Sequence, residues 1–183
     1  MPMAPQKIML IRHAERPGVE TPDQGVNLDG SNSSDALIVR GWQRAGALAR
    51  FFAPLTKNPS RSLIETPTSL YAAQPDELHH SDRTRQTLEP LSALLGLPIN
   101  IDHRRGEEPA LADAIARASG IVLIAWEHNA IHKIVADVTQ NAVQAPDWPD
   151  DRFDMVYVLT ANPTWLLAQV PQEILATDQS KTF

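Results

Sequence analysis

Two short apolar runs in the chain break abruptly into charge. Ile8 to Ile11 leads into Arg12-His13-Ala14-Glu15-Arg16-Pro17, and Ile121 to Ala125 leads into Trp126-Glu127-His128-Asn129. Runs this short, bounded by turn formers, predict buried strands over about Lys7 to Ile11 and over Ile121 to Ala125. Elsewhere the apolar period is helical. Trp42, Ala45, Ala49 and Phe52 recur over residues 40–52, and Pro54 ends the pattern. Leu88, Leu91, Leu94 and Leu95 share one side of Asp82 to Leu95, which Gly96 closes; Pro90 inside it predicts a kink or a restart. Pro109 to Ala118 predicts a helix with proline in its first turn and Gly120 past its end. Another helix follows Asn129, a good cap, with Ile131, Ile134, Val135 and Val138 inward. Ser69 to Ala73, Pro98 to Ile101, Met155 to Leu159 and Trp165 to Val170 complete the predicted strands.

The segments between are punctuated by turn residues. Residues 17–36 hold Pro17-Gly18, Pro22-Asp23, Asp29-Gly30 and Ser31-Asn32-Ser33-Ser34, which predicts a long surface loop, a length that is often functional. Residues 144–154 predict a Pro/Asp-rich loop, and the polar tail after Ile174 predicts fraying. Strands alternating with helices predict an α/β fold: a three-layer α/β/α sandwich with a mostly parallel sheet, one domain over 1–183 with its core at about 7–170. Parallel strands present their carboxyl ends at one sheet edge, where such folds place ligands. Arg12-His13 and Glu127-His128 are therefore expected to meet there.

Composition narrows the chemistry. With 43% hydrophobic residues in 183 positions the chain can bury a sizeable core, and a formal net charge of −6 gives no general reason to expect nucleic acid or an anionic membrane as partner. A cationic pocket in such a protein needs a local explanation. The absence of cysteine excludes disulfides, thiolate zinc sites and cysteine nucleophiles together. No apolar run approaches the roughly 20 residues of a membrane span, and Met1-Pro2-Met3-Ala4-Pro5-Gln6-Lys7 lacks the apolar core of a signal peptide. The expectation is a soluble, cytoplasmic protein.

An arginine fork matches phosphate oxygens in pairs, and Arg12, Arg16 and Arg83 are the candidates. His13 and His128 can each act as nucleophile, proton carrier or anion donor, and His128 precedes a helix N-terminus, where free N–H groups favour an anion. A neutral imidazole attacking phosphorus inside an arginine clamp is covalent catalysis through phosphohistidine. It needs no metal if the arginines supply the charge. A leaving alkoxide needs a proton, and Glu107 and Glu108, opening the helix after the third strand, are the candidate acids. The plainer readings compete. Arg83 and Arg85 suit a solvated helix start, and Glu108 before Pro109 suits a cap. His79, His80 and His103 suit exposed loops without zinc-ligand spacing. Trp42 and Trp126 suit the core or a pocket wall. Asp147, Asp150, Asp151 and Asp154 suit a plain acidic loop, since interleaved prolines and a missing glycine do not fit calcium.

Taken together, these residues resemble the histidine phosphatase superfamily, the phosphoglycerate mutase-like proteins. Arg12-His13-Ala14 stands where that pattern has Arg-His-Gly. Leu37-Ile38-Val39-Arg40-Gly41-Trp42-Gln43-Arg44-Ala45 keeps the Leu, Gly and Ala of the segment opening its first helix. Arg83-Thr84-Arg85-Gln86-Thr87 follows Arg-Ala-x-Gln-Thr, and Trp126-Glu127-His128 stands for a strand ending in Gly-His. The order holds over roughly residues 7–160.

The resemblance implies His13 as the phosphorylated nucleophile and Arg12, Arg83 and His128 as the rest of the phosphate pocket. Arg16 matches the added arginine of the acid phosphatase branch. That branch carries His-Asp at the fourth motif, where this chain has Asn129, which gives no proton. The mutase-like branch takes its acid from a glutamate after the third strand, which points to Glu107, then Glu108, with Glu127 a third option. The segment before Arg83 is longer than the family's link, and with His79 and His80 it is expected to wall the pocket. The implied activity is metal- and cofactor-independent hydrolysis of phosphate monoesters, on a phosphorylated small molecule or a phosphoprotein. A mutase, a phosphohistidine-protein phosphatase and a non-catalytic anion-binding module are the alternatives.

Overall fold

The elements follow the apolar patterning closely. In chain order they are β1 (Lys7–Arg12), α1 (Val39–Phe52), β2 (Ser69–Ala72), α2 (Arg83–Leu95), β3 (Ile99–Asn100), α3 (Glu108–Arg117), β4 (Ile121–Trp126), α4 (His128–Val138), β5 (Met155–Ala161) and β6 (Trp165–Pro171). The structure is a computed structural model that describes residues 5, 7–18, 23–56, 59, 62–77, 79–161 and 163–183. Most of the N-terminal heptapeptide and residues 19–22 of the predicted loop lie outside the described residues. Among the described residues no helix is long and apolar enough to cross a membrane.

The strands form one sheet in the order β3-β2-β4-β1-β5-β6. β1 runs parallel to β4, β4 to β2 and β2 to β3, while β5 runs antiparallel to both β1 and β6. The sheet is thus mostly parallel, with one reversed strand. Both faces are covered, which is why β1 and β4 read as unbroken apolar runs. Alternate residues go to opposite layers. Ile8, Leu10, Val122, Ile124 and Trp126 pack with Leu111 and Ile115 of α3 and Ile131, Ile134 and Val135 of α4. Met9, Ile11, Leu123 and Ala125 pack with Leu48, Phe51 and Phe52 of α1 and Leu88 and Leu91 of α2. The expected three-layer sandwich is present.

Several local expectations change. α2 continues through Pro90 without a restart. The proline removes one backbone bond, but Leu88 and Leu91 on either side are buried under the sheet and hold both halves in place. Glu127, not Asn129, occupies the cap position of α4, so His128 is already its first residue. The tail after Ile174 is docked, not frayed. The Asp178 carboxylate accepts from the backbone N–H groups of Ile174 and Leu175 and pairs with Arg44, and Gln169 bonds the backbone of Phe183 through both ends of its amide. Thr177, Gln179, Ser180, Lys181 and Thr182 still face water, and the docking is made by Asp178, Phe183 and the tail backbone. Residues 23–36 are an ordered loop: Val26 N–H donates to the Leu37 carbonyl, Asn27 and Ser31 close a turn, and the Trp42 indole donates to the Val26 carbonyl at 2.7 Å.

Gly41 fixes how closely α1 approaches the end of β1. A Cβ there would lie 2.4 Å from the Glu15 carbonyl oxygen. The same carbonyl accepts the Ile38 N–H at 3.1 Å, so helix and strand exit are joined by backbone contact that only glycine permits.

Candidate active site

The register of the two central strands sets the site. Arg12 stands opposite Trp126, and the His13 N–H donates to the Trp126 carbonyl at 3.1 Å, carrying the β1–β4 pairing one residue past β1. β1 then meets α2: the Ala14 N–H donates to Thr87 Oγ1 at 2.8 Å, and Thr87 Oγ1 donates to the Arg83 carbonyl at 2.7 Å. Gln86 accepts from the Leu37 N–H at 2.8 Å. The Gln and Thr of the Arg-x-x-Gln-Thr segment therefore bind the strand end and the first loop to the helix that carries Arg83. Ala14 is fully buried there, and its extra methyl is accommodated.

His13 is buried. Its Nδ1 lies 2.8 Å from the Ala14 carbonyl oxygen. A carbonyl only accepts, so Nδ1 holds the proton and Nε2 keeps its lone pair. Burial pushes the His13 imidazolium well below the ordinary histidine range; the Arg12 charge pushes the same way, with Arg83 and His128 behind it, while the Ala14 carbonyl opposes them. The ring is neutral at physiological pH, which is the state a nucleophile requires.

Arg12 is almost wholly buried and is not among the residues that line the cleft beside His13. Its Nη1 donates to the carbonyls of Pro149, Asp150 and Arg152 at 3.3, 2.6 and 3.1 Å, and its guanidinium sits 3.9 Å over the Phe153 ring. Its Nε and Nη2 are buried without a hydrogen-bond partner among the described residues. Burial, then the Arg16 charge, lowers it to about 10, so it stays cationic at neutral pH. Orphaned buried donors are costly unless a ligand takes them up. Arg83 donates to the carbonyls of Ala36 and Ser34 at 3.3 and 2.5 Å, and burial with Arg16 depresses it too. Arg16 is exposed at the rim, with a 3.5 Å contact to the Pro17 carbonyl. His128 Nε2 lies 2.5 Å from Asp150 Oδ1, and its Nδ1 is buried without a partner. Burial and Arg12 lower the His128 imidazolium, against the pull of Asp150.

His13, Arg16, Arg83 and His128 line one cleft of about 390 Å³, together with Asp35, His79, His80, Ser81, Arg105, Glu127 and Asn129. The segment before Arg83 does wall the pocket, and His79 is half-buried rather than exposed. A larger groove of about 620 Å³ beside Leu28, Trp42 and Pro90 is mostly apolar, and its charged groups, Arg85 and Glu89, pair with each other; the reactive groups converge in the smaller one.

The candidate acids are dispersed. The Glu107 carboxylate accepts from the Arg104 N–H and Nε at 3.1 Å each, and those bonds, the backbone one first, hold it below the usual carboxylate range. Glu108 is buried, its Oε1 accepting from the Gly106 N–H at 3.0 Å and the Trp126 indole at 3.1 Å. Neither is among the cleft walls. Glu127 is, paired to Arg105 at 3.1 Å. Sequence reasoning passed over Arg105, Asp35 and the 149–152 carbonyls. Backbone acceptors leave no signature in side-chain identity; the Pro/Asp-rich composition of that loop was the only trace. No group of His, Asp or Glu among the described residues is arranged to hold a metal ion.

No family model matches the chain, and no curated protein matches it. Solved structures do. The alpha-ribazole phosphatase from Shigella flexneri superposes with a TM-score of 0.53 at 13% identity, over 94% of this chain and 100% of that one. Phosphoglycerate mutase from Plasmodium falciparum gives 0.51 at 12% identity over 99% of each chain. The protein histidine phosphatase SixA complexed with tungstate gives 0.50 at 13% identity, over 91% and 97%. The fold is phosphoglycerate mutase-like, an α/β arrangement with six strands in one sheet and four helices among the described residues.

Proposed function

We propose that the chain is a metal-independent phosphatase of the histidine phosphatase superfamily, hydrolysing phosphate monoesters through a phosphohistidine on His13. One observation carries this reading: His13 is buried at the cleft with Nδ1 anchored on the Ala14 carbonyl and Nε2 left free to attack, and burial first, then the Arg12 charge, disfavours its imidazolium. An anion-binding module needs no nucleophile in that position.

In the first step His13 Nε2 forms the N–P bond as the bond from phosphorus to the substrate oxygen breaks. The leaving oxygen takes a proton. Arg12, Arg83 and His128 stabilise the charge on the transferring phosphoryl group, with Arg16 at the rim. In the second step water attacks phosphorus, the N–P bond breaks, and inorganic phosphate leaves a neutral imidazole. Glu127, the glutamate in the cleft wall, acts in its protonated form, released from Arg105: it gives that proton to the leaving oxygen in the first step and takes one from water in the second.

The test is hydrolysis of p-nitrophenyl phosphate by purified protein without added metal. His13→Ala is expected to abolish it, and robust turnover by that variant would sink the mechanism. Conversion of 3-phosphoglycerate separates a mutase from a hydrolase. A second reading, a phosphohistidine-protein phosphatase, draws on the engagement of both Glu107 and Glu108 elsewhere, because a phosphoramidate leaves without strong acid assistance. Glu127→Gln decides between them. General acid catalysis is worth roughly 10²- to 10⁴-fold, so an alkyl phosphate should lose about that much, and Glu107→Gln should leave it unchanged. Loss with Glu107→Gln alone would return the acid role to that residue.

A further inference from the structure

The carbonyl turn that aims Arg12 is held from behind by residues 178–183. Arg152 is the buried member of that turn, and its carbonyl takes both Arg12 Nη1 at 3.1 Å and the Trp148 indole at 2.8 Å. Its side chain is fastened separately. Nε donates to Asp154 Oδ1 at 2.7 Å, Nη2 donates to the Lys181 carbonyl at 2.9 Å, and the guanidinium lies 5.2 Å over the Phe183 ring. Asp154 in turn accepts the Gln179 N–H at 2.6 Å through its other oxygen, and Trp148 meets Phe183 edge-on at 5.6 Å. The turn closes on itself through the Arg152 N–H to the Pro149 carbonyl at 3.2 Å, and the side chains of Arg152, Asp154 and Trp148 that brace it each also contact the tail.

We infer that Arg152, clamped by residues 178–183, is a positioning residue for Arg12, and that the tail sets the aim of the phosphate-binding guanidinium. This rests on the phosphatase reading of the site. Arg12 Nη1 is used by three backbone acceptors, while Nε and Nη2 have no hydrogen-bond partner among the described residues. A planar fork anchored at one nitrogen points the other two wherever its anchor stands. If the 149–152 turn shifts, Nε and Nη2 shift with it. Misplacement by about 1 Å at a catalytic group can cost on the order of 10²-fold in rate. The tail touches none of the reacting atoms; it acts through Arg152 on Arg12.

The experiment is a double-mutant cycle in the full chain, read by tungstate affinity and by kcat/KM for p-nitrophenyl phosphate. Arg152→Met is expected to weaken both by roughly tenfold to a hundredfold while far-UV circular dichroism stays unchanged. Arg152→Lys, which can keep one of the two side-chain bonds, should recover part of the loss. In an Arg12→Ala background Arg152→Met should cost nothing further, because the residue through which it acts is gone; a merely structural defect would lower both backgrounds alike. Phe183→Ala, a milder loosening of the same clamp, carries the identical cycle if Arg152→Met does not fold. Unchanged tungstate affinity in a folded Arg152→Met protein, or additive losses in the cycle, overturns the inference. Wild-type protein that binds tungstate but turns over no phosphoester sinks the phosphatase reading alone, and the cycle is then judged on affinity. Wild-type protein that binds no tungstate overturns both.

Discussion

A buried neutral His13 should leave a mark on stability as well as on rate. Folding excludes the imidazolium, through burial first and the Arg12 charge second. The unfolded chain has no such restraint, and its histidine titrates near about 6.5. Below that pH the unfolded state therefore binds a proton that the folded state refuses. Stability is complete above the unfolded value and falls as pH drops beneath it, by about 1.4 kcal/mol for each further unit until the folded ring itself titrates. Between about pH 6.5 and pH 5 that is up to about 2 kcal/mol from this one side chain. Other groups titrate over the same range, so the informative quantity is a difference. Urea unfolding of the wild type and of His13→Asn at about pH 7.5 and pH 5 isolates it. The wild type should lose more stability on acidification than the variant, by up to those 2 kcal/mol. The matching kinetic result is a rate of phosphoenzyme formation, normalised for substrate ionisation, that carries no downward bend from His13 near 6.5. Equal acid sensitivity in the two proteins would mean that His13 protonates normally, and the nucleophile assignment would lose its electrostatic basis.

Two further outcomes test the frame around it. Arg12→Lys keeps the charge but not the fork that serves three carbonyls and leaves Nε and Nη2 for an oxyanion; kcat/KM should fall by roughly 10²- to 10³-fold, and a loss under fivefold by the p-nitrophenyl phosphate assay would argue against bidentate binding. Gly41→Ala places a methyl 2.4 Å from the Glu15 carbonyl oxygen; the helix must back away, which should cost about 1–3 kcal/mol by urea unfolding, and an unchanged midpoint would show that the contact is slack.

Much of this fold was legible because burial on both faces forces a recognisable pattern. β1 and β4 are continuous apolar runs, and their helices carry the apolar stripes that cover them. Alternating elements then imply the parallel arrangement that sets His13 beside Trp126, next but one to His128. What stayed hidden depends on partners that composition does not name. The tail reads as polar and loose, yet Asp178 closes a local turn on the Ile174 and Leu175 amides and meets Arg44, a partner far off in sequence. Pro90 reads as a break, yet the packing of Leu88 and Leu91 overrides its local preference.

The site shows the same division, and Glu15 shows why charge counting along the chain misleads. It lies two residues from His13 and three from Arg12, close enough in sequence to suggest that it neutralises them. Its carboxylate instead takes Arg44 at 3.0 Å from Nε and 2.9 Å from Nη2, with Arg40 at 3.2 Å, beyond the walls of the cleft. Gly41 makes this possible, because the close approach of α1 to the Glu15 backbone sets Arg44 beside that carboxylate. The anionic charge nearest His13 in sequence is thereby consumed by the helix. Arg12 and Arg83 are left to meet backbone carbonyls in place of carboxylates. Carbonyls orient a guanidinium without cancelling its charge, so both arginines still repel Arg16 and still lower His13. An acidic protein keeps this cationic cleft because Glu15 is taken by Arg44 and Arg40 while Arg12 and Arg83 are held by carbonyl dipoles; Asp35 and Glu127 in the cleft wall oppose them, and Glu127 is itself paired to Arg105.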